Sequence, residues 1–176
     1  DDTKELNYWI QWLNKKGKNK IVLVGHSFGS VTILSYALHF NNPTVVKLIA
    51  ASLVVDEHTL GEKLIADQIK PAQSLLEKGK TQLNDYRISY CKRFVASPRT
   101  YISYASWSKS KIINALQNLK LPIHVILGAN DNRLIKQWPN TLKRHGVKLT
   151  LVEGANHFFD AEHEFDLLDN VVHSIQ

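Results

Sequence analysis

Apolar residues recur along the chain with two different spacings, which predict alternating helices and strands. The first helical face is formed by Leu6, Trp9, Ile10 and Leu13. A capped start at residues 1–3 and a stop at Gly17 bound this helix. Ile21–Val24 is apolar on both faces and β-branched, as is typical of a buried parallel strand. A second helix is predicted from Phe28 to about Phe40.

The same alternation continues to the end of the chain. Further strands are predicted at 45–55, 123–127 and 147–152. A helix imperfect at Pro139 separates the last two strands, and an amphipathic helix covers 160–175. Strands that alternate with helices predict an α/β fold with a four-stranded parallel sheet and helices on both faces.

The stretch 57–121 is too long for a simple crossover between two strands. Apolar residues recur at helical spacing on both sides of Pro71, and 86–94 and 100–107 also fit a helical pattern. We therefore expect a helical insertion that forms a cap over the carboxyl edge of the sheet.

Composition, net charge and cysteine count limit the classes of protein to which the chain can belong. The 176 residues, 44% hydrophobic and 22% charged, suffice for one soluble domain with its own core. The net charge is +6, but acidic residues separate the lysines, which favours solvated helix faces over a nucleic-acid surface. No apolar run is long enough to span a bilayer. The one cysteine, Cys91, fits a reducing compartment, so the cytoplasm is the predicted location.

The segment Gly25-His26-Ser27-Phe28-Gly29 matches the pattern G-x-S-x-G. It lies between a predicted buried strand and a predicted helix, which is the setting in which this pattern presents a nucleophilic serine. The two glycines are expected to leave room for the strand and helix to approach closely. The start of the helix would supply a backbone N–H and a positive dipole end for an oxyanion.

A serine nucleophile needs a base, and the base needs a carboxylate that fixes its tautomer. Asp131 follows the third predicted strand and His157 follows the fourth. Carboxyl ends of parallel strands meet at one edge of the sheet, where sites of open α/β folds lie. The order Ser27, Asp131, His157 therefore predicts a catalytic triad.

Other residues could fill the same roles. Asp56 follows the second predicted strand and could replace Asp131 as the acid. Asp160 and His163 lie beyond the fourth strand. Asp131 and His157 are preferred because each directly follows its strand. The remaining histidines are expected on the surface or in packing roles and include His39, His58, His124 and His145.

These motifs resemble the α/β-hydrolase superfamily, in particular small serine esterases with a modest cap. The resembling segments are 21–30, 123–131 and 153–158. The resemblance implies that Ser27 attacks an acyl carbon, His157 transfers the proton and Asp131 orients His157. It also implies that the Phe28 N–H donates to the oxyanion, and that His26 has a structural role.

The resemblance implies a serine hydrolase that cleaves a small-molecule carboxylic ester or thioester through an acyl-Ser27 intermediate, without metal or organic cofactor. Tyr101, Tyr104 and Trp107 recur at helical spacing and are candidates for an acyl pocket or for simple core. Two alternatives stay open. One is a binding protein of the same fold without turnover, and the other is an amidase, peptidase or carbon–carbon bond hydrolase with the same triad.

The chain departs from the superfamily at its start. About four strands normally precede the nucleophile strand, whereas residues 1–176 begin at the helix just before it. The resemblance therefore leads us to expect the carboxyl-terminal part of the fold. The preceding part would hold the loop with the second oxyanion donor and a strand that covers the edge at Ile21–Val24.

Overall fold

The computed structural model describes residues 2–176, which form two compact units. The sheet unit comprises the chain up to Val54 together with Ile113–Gln176, and the insertion unit comprises Val55–Ile112. Asp1, predicted as part of the capped start of the first helix, lies outside the described residues.

In the sheet unit, helices and strands alternate as the sequence pattern predicts. The elements are α1 (Asp2–Lys15), β1 (Ile21–His26), α2 (Phe28–His39), β2 (Val45–Ala51), α3 (Asp56–Leu60), α4 (Glu62–Glu77), β3 (Asn84–Ile88), β4 (Cys91–Ala96), α5 (Pro98–Ala105), α6 (Lys109–Asn118), β5 (Ile123–Gly128), α7 (Trp138–Arg144), β6 (Lys148–Val152) and α8 (His163–Ile175). Among residues 2–176, none of these helices has both the length and the apolar character needed to cross a bilayer.

The sheet unit is built on a parallel sheet with the strand order β1-β2-β5-β6. The register pairs His26 with Ala51, Ala51 with Ile126, and Gly128 with Val152, so the strands end close to one another at the carboxyl edge. The predicted four-stranded parallel sheet with flanking helices is confirmed.

The two faces of the sheet are covered by different helices, because successive strand residues point to opposite faces. On one face, Ile21 and Leu23 of β1 join a buried cluster with Ile10 of α1 and Tyr36 of α2. On the other face, a second buried cluster has Val22 of β1 and Leu167 and Val171 of α8 packed against it. Because both faces are packed, the strands give the continuous apolar runs seen in the sequence.

Several element boundaries in the sheet unit differ from the predicted ones, and the last helix begins at His163 and not at residue 160. The second strand ends at Ala51, because Ser52 has a left-handed backbone with φ 48° and breaks the extended run. Pro139 lies in the first turn of α7 and does not interrupt a longer helix. The first turn accepts proline because its N–H has no partner within the helix.

The insertion unit contains a β-hairpin that the sequence pattern did not predict. Residues 86–94 were expected to be helical, and this prediction is wrong: β3 and β4 pair antiparallel, with Tyr86 opposite Phe94. Tyr86 and Ile88 are buried while Arg87 between them is exposed, which is the period of a strand. The ring of Tyr86 stacks on Tyr101 of α5 at a centroid distance of 4.0 Å. This packing outweighs the weak helical pattern.

Candidate active site

Ser27 lies on a tight turn between β1 and α2. Its backbone is strained, with φ 57° and ψ −122°, a region that non-glycine residues rarely occupy. Its N–H donates to the carbonyl of Ala51 at 2.9 Å. The Ser30 hydroxyl lies 2.8 Å from the carbonyls of both Gly25 and Ala51. The turn is therefore held by the end of the neighbouring strand.

The two glycines of the motif have different roles. A Cβ at Gly25 would lie 2.3 Å from the carbonyl oxygen of Gly29 and 2.7 Å from the nitrogen of Ser30, so the helix can approach only because Gly25 lacks a side chain. A Cβ at Gly29 would meet nothing within 4 Å among residues 2–176, apart from its chain neighbours and the backbone of its own helix. The steric requirement lies at Gly25 alone, which corrects the expectation that both glycines make room.

The structure brings the predicted serine, histidine and aspartate together. His157 Nε2 lies 3.0 Å from Ser27 Oγ, and His157 Nδ1 lies 2.7 Å from Asp131 Oδ2. The His157 and Asp131 side chains are 3% and 0% exposed. Because an ionised carboxylate only accepts hydrogen bonds, Nδ1 carries the proton and Nε2 offers its lone pair to the serine hydroxyl.

The loops that carry Asp131 and His157 are bound to each other through their backbones. The N–H groups of Ala129 and Asn130 donate to the carbonyls of Val152 and Ala155, each at 2.9 Å. A Cβ at Gly128 would lie 2.4 Å from the Ala155 carbonyl oxygen, so this contact needs glycine. Asp131 Oδ1 accepts the backbone N–H of Arg133 at 3.0 Å, which leaves Oδ2 directed at the imidazole.

The carbonyl of His157 accepts two hydrogen bonds from the nucleophile side of the site. His26 Nε2 and Ser52 Oγ each lie 2.8 Å from this oxygen. The His26 contact is in keeping with the structural role that the resemblance implies. Ser52 is not predicted from the sequence, because no motif marks it and its left-handed backbone is visible only in the structure.

Phe28 is the first residue of α2, a helix of 12 residues. Its N–H lies at the positive end of the helix dipole, directly after Ser27. This is the place where the predicted oxyanion donor is needed.

The competing acid and base of the sheet unit form other pairs. Asp160 Oδ2 accepts from the Asn156 side chain at 2.9 Å, and His163 pairs with Asp166 at 2.9 Å. The carboxylate that contacts His157 is that of Asp131, the residue preferred for its position directly after a strand.

Asp56, the alternative acid, is a buried residue of the insertion unit. Its Oδ1 accepts the backbone N–H of Ser89 at 2.5 Å. Burial raises the pKa of Asp56 to about 6; the Ser89 N–H lowers this pKa and the charge of Glu57 raises it further. Among the described residues, Oδ2 has no hydrogen-bond partner. Ionisation of this carboxyl therefore opposes folding at neutral pH.

We expect Asp56→Asn to raise the free energy of unfolding at pH 7.5 by about 2 to 3 kcal/mol. The folded pKa of about 6 lies above the ordinary value of 3.8, so the stability linked to the protonated carboxyl is complete below pH 3.8 and is lost as the pH rises through 6. Asparagine keeps the oxygen that accepts from Ser89 and carries no charge.

Urea unfolding of both proteins at pH 7.5 and pH 4 measures this difference, which should shrink at pH 4. Asp85→Asn is the matched control, because Asp85 is exposed and pairs only with the exposed Arg93 at the described surface. If the free energy of unfolding at pH 7.5 increases no more in Asp56→Asn than in Asp85→Asn, the raised pKa of Asp56 is contradicted.

The candidate pocket residues belong to the insertion unit. Tyr101 is fully buried under Tyr86, Tyr104 contacts Phe94 edge to face, and Trp107 is buried with the Lys111 ammonium 4.4 Å from its ring centroid. These contacts show packing, and the acyl pocket stays a prediction.

Two further findings bear on the other polar groups. In residues 2–176, no group of three or more His, Cys, Asp or Glu side chains is arranged to hold a metal ion. His124 is buried, and its Nε2 lies 2.8 Å from Thr150 Oγ1, so this histidine has the packing role that was expected.

Solved structures of similar shape share the fold of the chain. The α/β-hydrolase GrgF from Penicillium sp. sh18 has a TM-score of 0.65 and 16% identity, over 98% of this chain and 68% of that one. A monoacylglycerol lipase from Paleococcus ferrophilus has a TM-score of 0.67 and 14% identity, over 97% and 73%. An esterase from Exiguobacterium antarcticum has a TM-score of 0.62 and 18% identity, over 98% and 72%. At these identities the likeness establishes the fold.

Sequence comparison identifies one protein family that the chain matches. The family model described as "Protein of unknown function (DUF1749)" matches residues 1–108, which include the whole G-x-S-x-G segment. No curated protein matches the chain in sequence.

Proposed function

The chain belongs to the DUF1749 family and has the α/β-hydrolase fold, and from this premise we propose that it is a serine hydrolase. The observation that carries the proposal is the hydrogen-bonded series Ser27–His157–Asp131, with distances of 3.0 and 2.7 Å. A buried carboxylate, an oriented imidazole and a hydroxyl on a strained turn are the groups that acyl transfer needs.

In the proposed reaction, Ser27 Oγ attacks the acyl carbon while His157 Nε2 takes the hydroxyl proton. The carboxylate of Asp131 stabilises the imidazolium that forms. The negative charge on the former carbonyl oxygen faces the Phe28 N–H and the positive end of α2. The imidazolium then gives its proton to the leaving group, and the acyl group stays on Ser27.

The second half of the reaction uses the same groups with water as the nucleophile. His157 removes a proton from water, the hydroxide adds to the acyl carbon, and Ser27 leaves with the proton returned by His157. The products are a carboxylic acid and free enzyme. No step requires a metal or an organic cofactor.

We propose a small-molecule carboxylic ester or thioester as the substrate. Two solved structures of the same fold are named an esterase and a monoacylglycerol lipase, which supports an ester bond as the first choice. The cytoplasm stays the proposed compartment, on the single cysteine Cys91.

The proposal is tested with p-nitrophenyl acetate and a fluorophosphonate label. We expect a burst of p-nitrophenol followed by turnover, and stoichiometric labelling at Ser27. Both should be absent in Ser27→Ala and retained in Ser35→Ala, which changes a serine further along the same helix. Labelling at another residue, or unchanged hydrolysis by Ser27→Ala, would overturn the proposal.

A panel of acetyl esters, acetyl thioesters and acetyl amides then ranks the leaving groups by kcat/KM. Esters or thioesters should be cleaved fastest. Faster amide cleavage would replace the esterase assignment with an amidase. Tight binding of these compounds without any product would replace it with a binding function.

A further inference from the structure

Ser52 has a backbone that a serine rarely adopts, in a position where solvent cannot reach it. It directly follows β2, its φ is 48°, and its exposed fraction is 0%. Glycine would occupy this left-handed region without steric penalty. The presence of a side chain here therefore points to a use for its hydroxyl.

The hydroxyl of Ser52 contacts the residue that carries the proposed base. Its Oγ donates to the carbonyl of His157 at 2.8 Å, across 105 positions of sequence. The backbone N–H of Ser52 donates to the carbonyl of Ile126 at 2.8 Å, which ties the residue to β5. Ser52 is thus hydrogen-bonded to β5 through its backbone and to the His157 backbone through its side chain.

The residue before Ser52 contacts the nucleophile turn. The carbonyl of Ala51 accepts the backbone N–H of Ser27 at 2.9 Å and lies 2.8 Å from the Ser30 hydroxyl. Ala51 therefore binds the serine turn, and the adjacent Ser52 binds the His157 loop. We expect a change at Ser52 to alter the separation of Ser27 Oγ and His157 Nε2.

The His157 carbonyl has two acceptor positions, and both are used. His26 Nε2 donates at 2.8 Å from the residue next to the nucleophile, and Ser52 supplies the second donor. The bond between His157 Nδ1 and Asp131 is made by side-chain atoms, and Asp131 is itself fixed by the Arg133 N–H at its other oxygen. Removal of the Ser52 hydroxyl should therefore disturb the contact to Ser27 and leave the contact to Asp131 in place.

We propose that Ser52 is a positioning residue that sets the His157 imidazole against Ser27 Oγ through the His157 carbonyl. This inference rests on the proposed function, since it concerns the proton transfer from Ser27. It assigns to Ser52 an effect on turnover and not on substrate affinity.

The main test is Ser52→Gly, because glycine accepts the left-handed backbone and removes only the hydroxymethyl group. We expect kcat for p-nitrophenyl acetate to fall about 10- to 100-fold, since small misplacements of reacting groups have effects of this size. KM should stay within about twofold, because the acyl site is not changed.

Fluorophosphonate labelling distinguishes a misplaced His157 imidazole from an unfolded protein. In Ser52→Gly the rate of labelling should fall in step with kcat, while the labelled fraction at completion stays equal to that of the unchanged protein. The low-field proton resonance of His157 Nδ1–H should persist, because its bond to Asp131 remains. A merely structural role would lower the labelled fraction or remove this resonance.

Two variants serve as comparisons. Ser52→Thr keeps a hydroxyl but adds a β-branch at a positive φ, so we expect lower thermal stability with kcat closer to that of the unchanged protein. Ser174→Ala removes another buried hydroxyl of the sheet unit, one that donates to the Asn170 carbonyl in α8. It should lower stability without lowering kcat.

A kcat of Ser52→Gly within twofold of the unchanged protein would overturn the inference, and so would a decrease shared equally by Ser174→Ala. If Ser27→Ala is inactive while Ser52→Gly is fully active, the role of Ser52 fails and the serine hydrolase stands. If Ser27→Ala retains activity, the proposed function itself fails.

Discussion

Replacement of Asp131 by asparagine should lower kcat for p-nitrophenyl acetate by about ten-thousandfold. The carboxylate accepts from His157 Nδ1 at 2.7 Å and has a side chain that is 0% exposed. An amide NH₂ in this place donates to Nδ1, so the imidazole proton moves to Nε2 and the base can no longer accept from Ser27. The amide also lacks the charge that stabilises the imidazolium.

Steady-state kinetics and fluorophosphonate labelling measure this loss, and urea unfolding shows whether the fold is kept. Asp160→Asn is the matched control, because Asp160 lies three positions after His157 and its described hydrogen bonds are both to the Asn156 side chain. Its kcat should change less than threefold. A kcat of Asp131→Asn within tenfold of the unchanged protein would contradict the role of Asp131.

The site could be predicted from the sequence because its parts are local. An apolar strand followed by G-x-S-x-G indicates a nucleophile turn, and a polar residue just after a buried strand lies at the carboxyl edge. Asp131 and His157 each meet this condition, and parallel strands bring their loops together without any knowledge of the connections. The convergence of Ser27, Asp131 and His157 follows from these local rules.

Features that depend on distant contacts could not be predicted. The β3–β4 hairpin is stabilised by the stack of Tyr86 on Tyr101, and neither residue indicates its partner in the sequence. Ser52 donates to a carbonyl 105 positions away, and the residue type does not reveal its positive φ. The unequal roles of Gly25 and Gly29 depend on where the first turn of α2 lies against β1. Periodicity reports the burial of one element at a time, and these contacts join several elements.

Gly25→Ala should damage the nucleophile turn severely. The new methyl group would lie 2.3 Å from the Gly29 carbonyl oxygen and 2.5 Å from the Gly29 carbonyl carbon. These are backbone atoms, so relief requires β1 and α2 to separate, and the free energy of unfolding should fall by about 3 kcal/mol. Separation also moves Ser27 away from His157, and we expect kcat to fall by at least about 100-fold.

Gly29→Ala is the control for this prediction, because it adds the same methyl group four residues later in the same motif. Outside its chain neighbours and the backbone of its own helix, no atom of residues 2–176 lies within 4 Å of that Cβ and φ is not positive, so alanine should leave the free energy of unfolding unchanged or raise it by about 0.5 kcal/mol. Urea unfolding of the two variants side by side gives the comparison. Equal losses of stability would mean that β1 and α2 do not approach through Gly25, and the geometry that lifts Ser27 toward His157 would then need another origin.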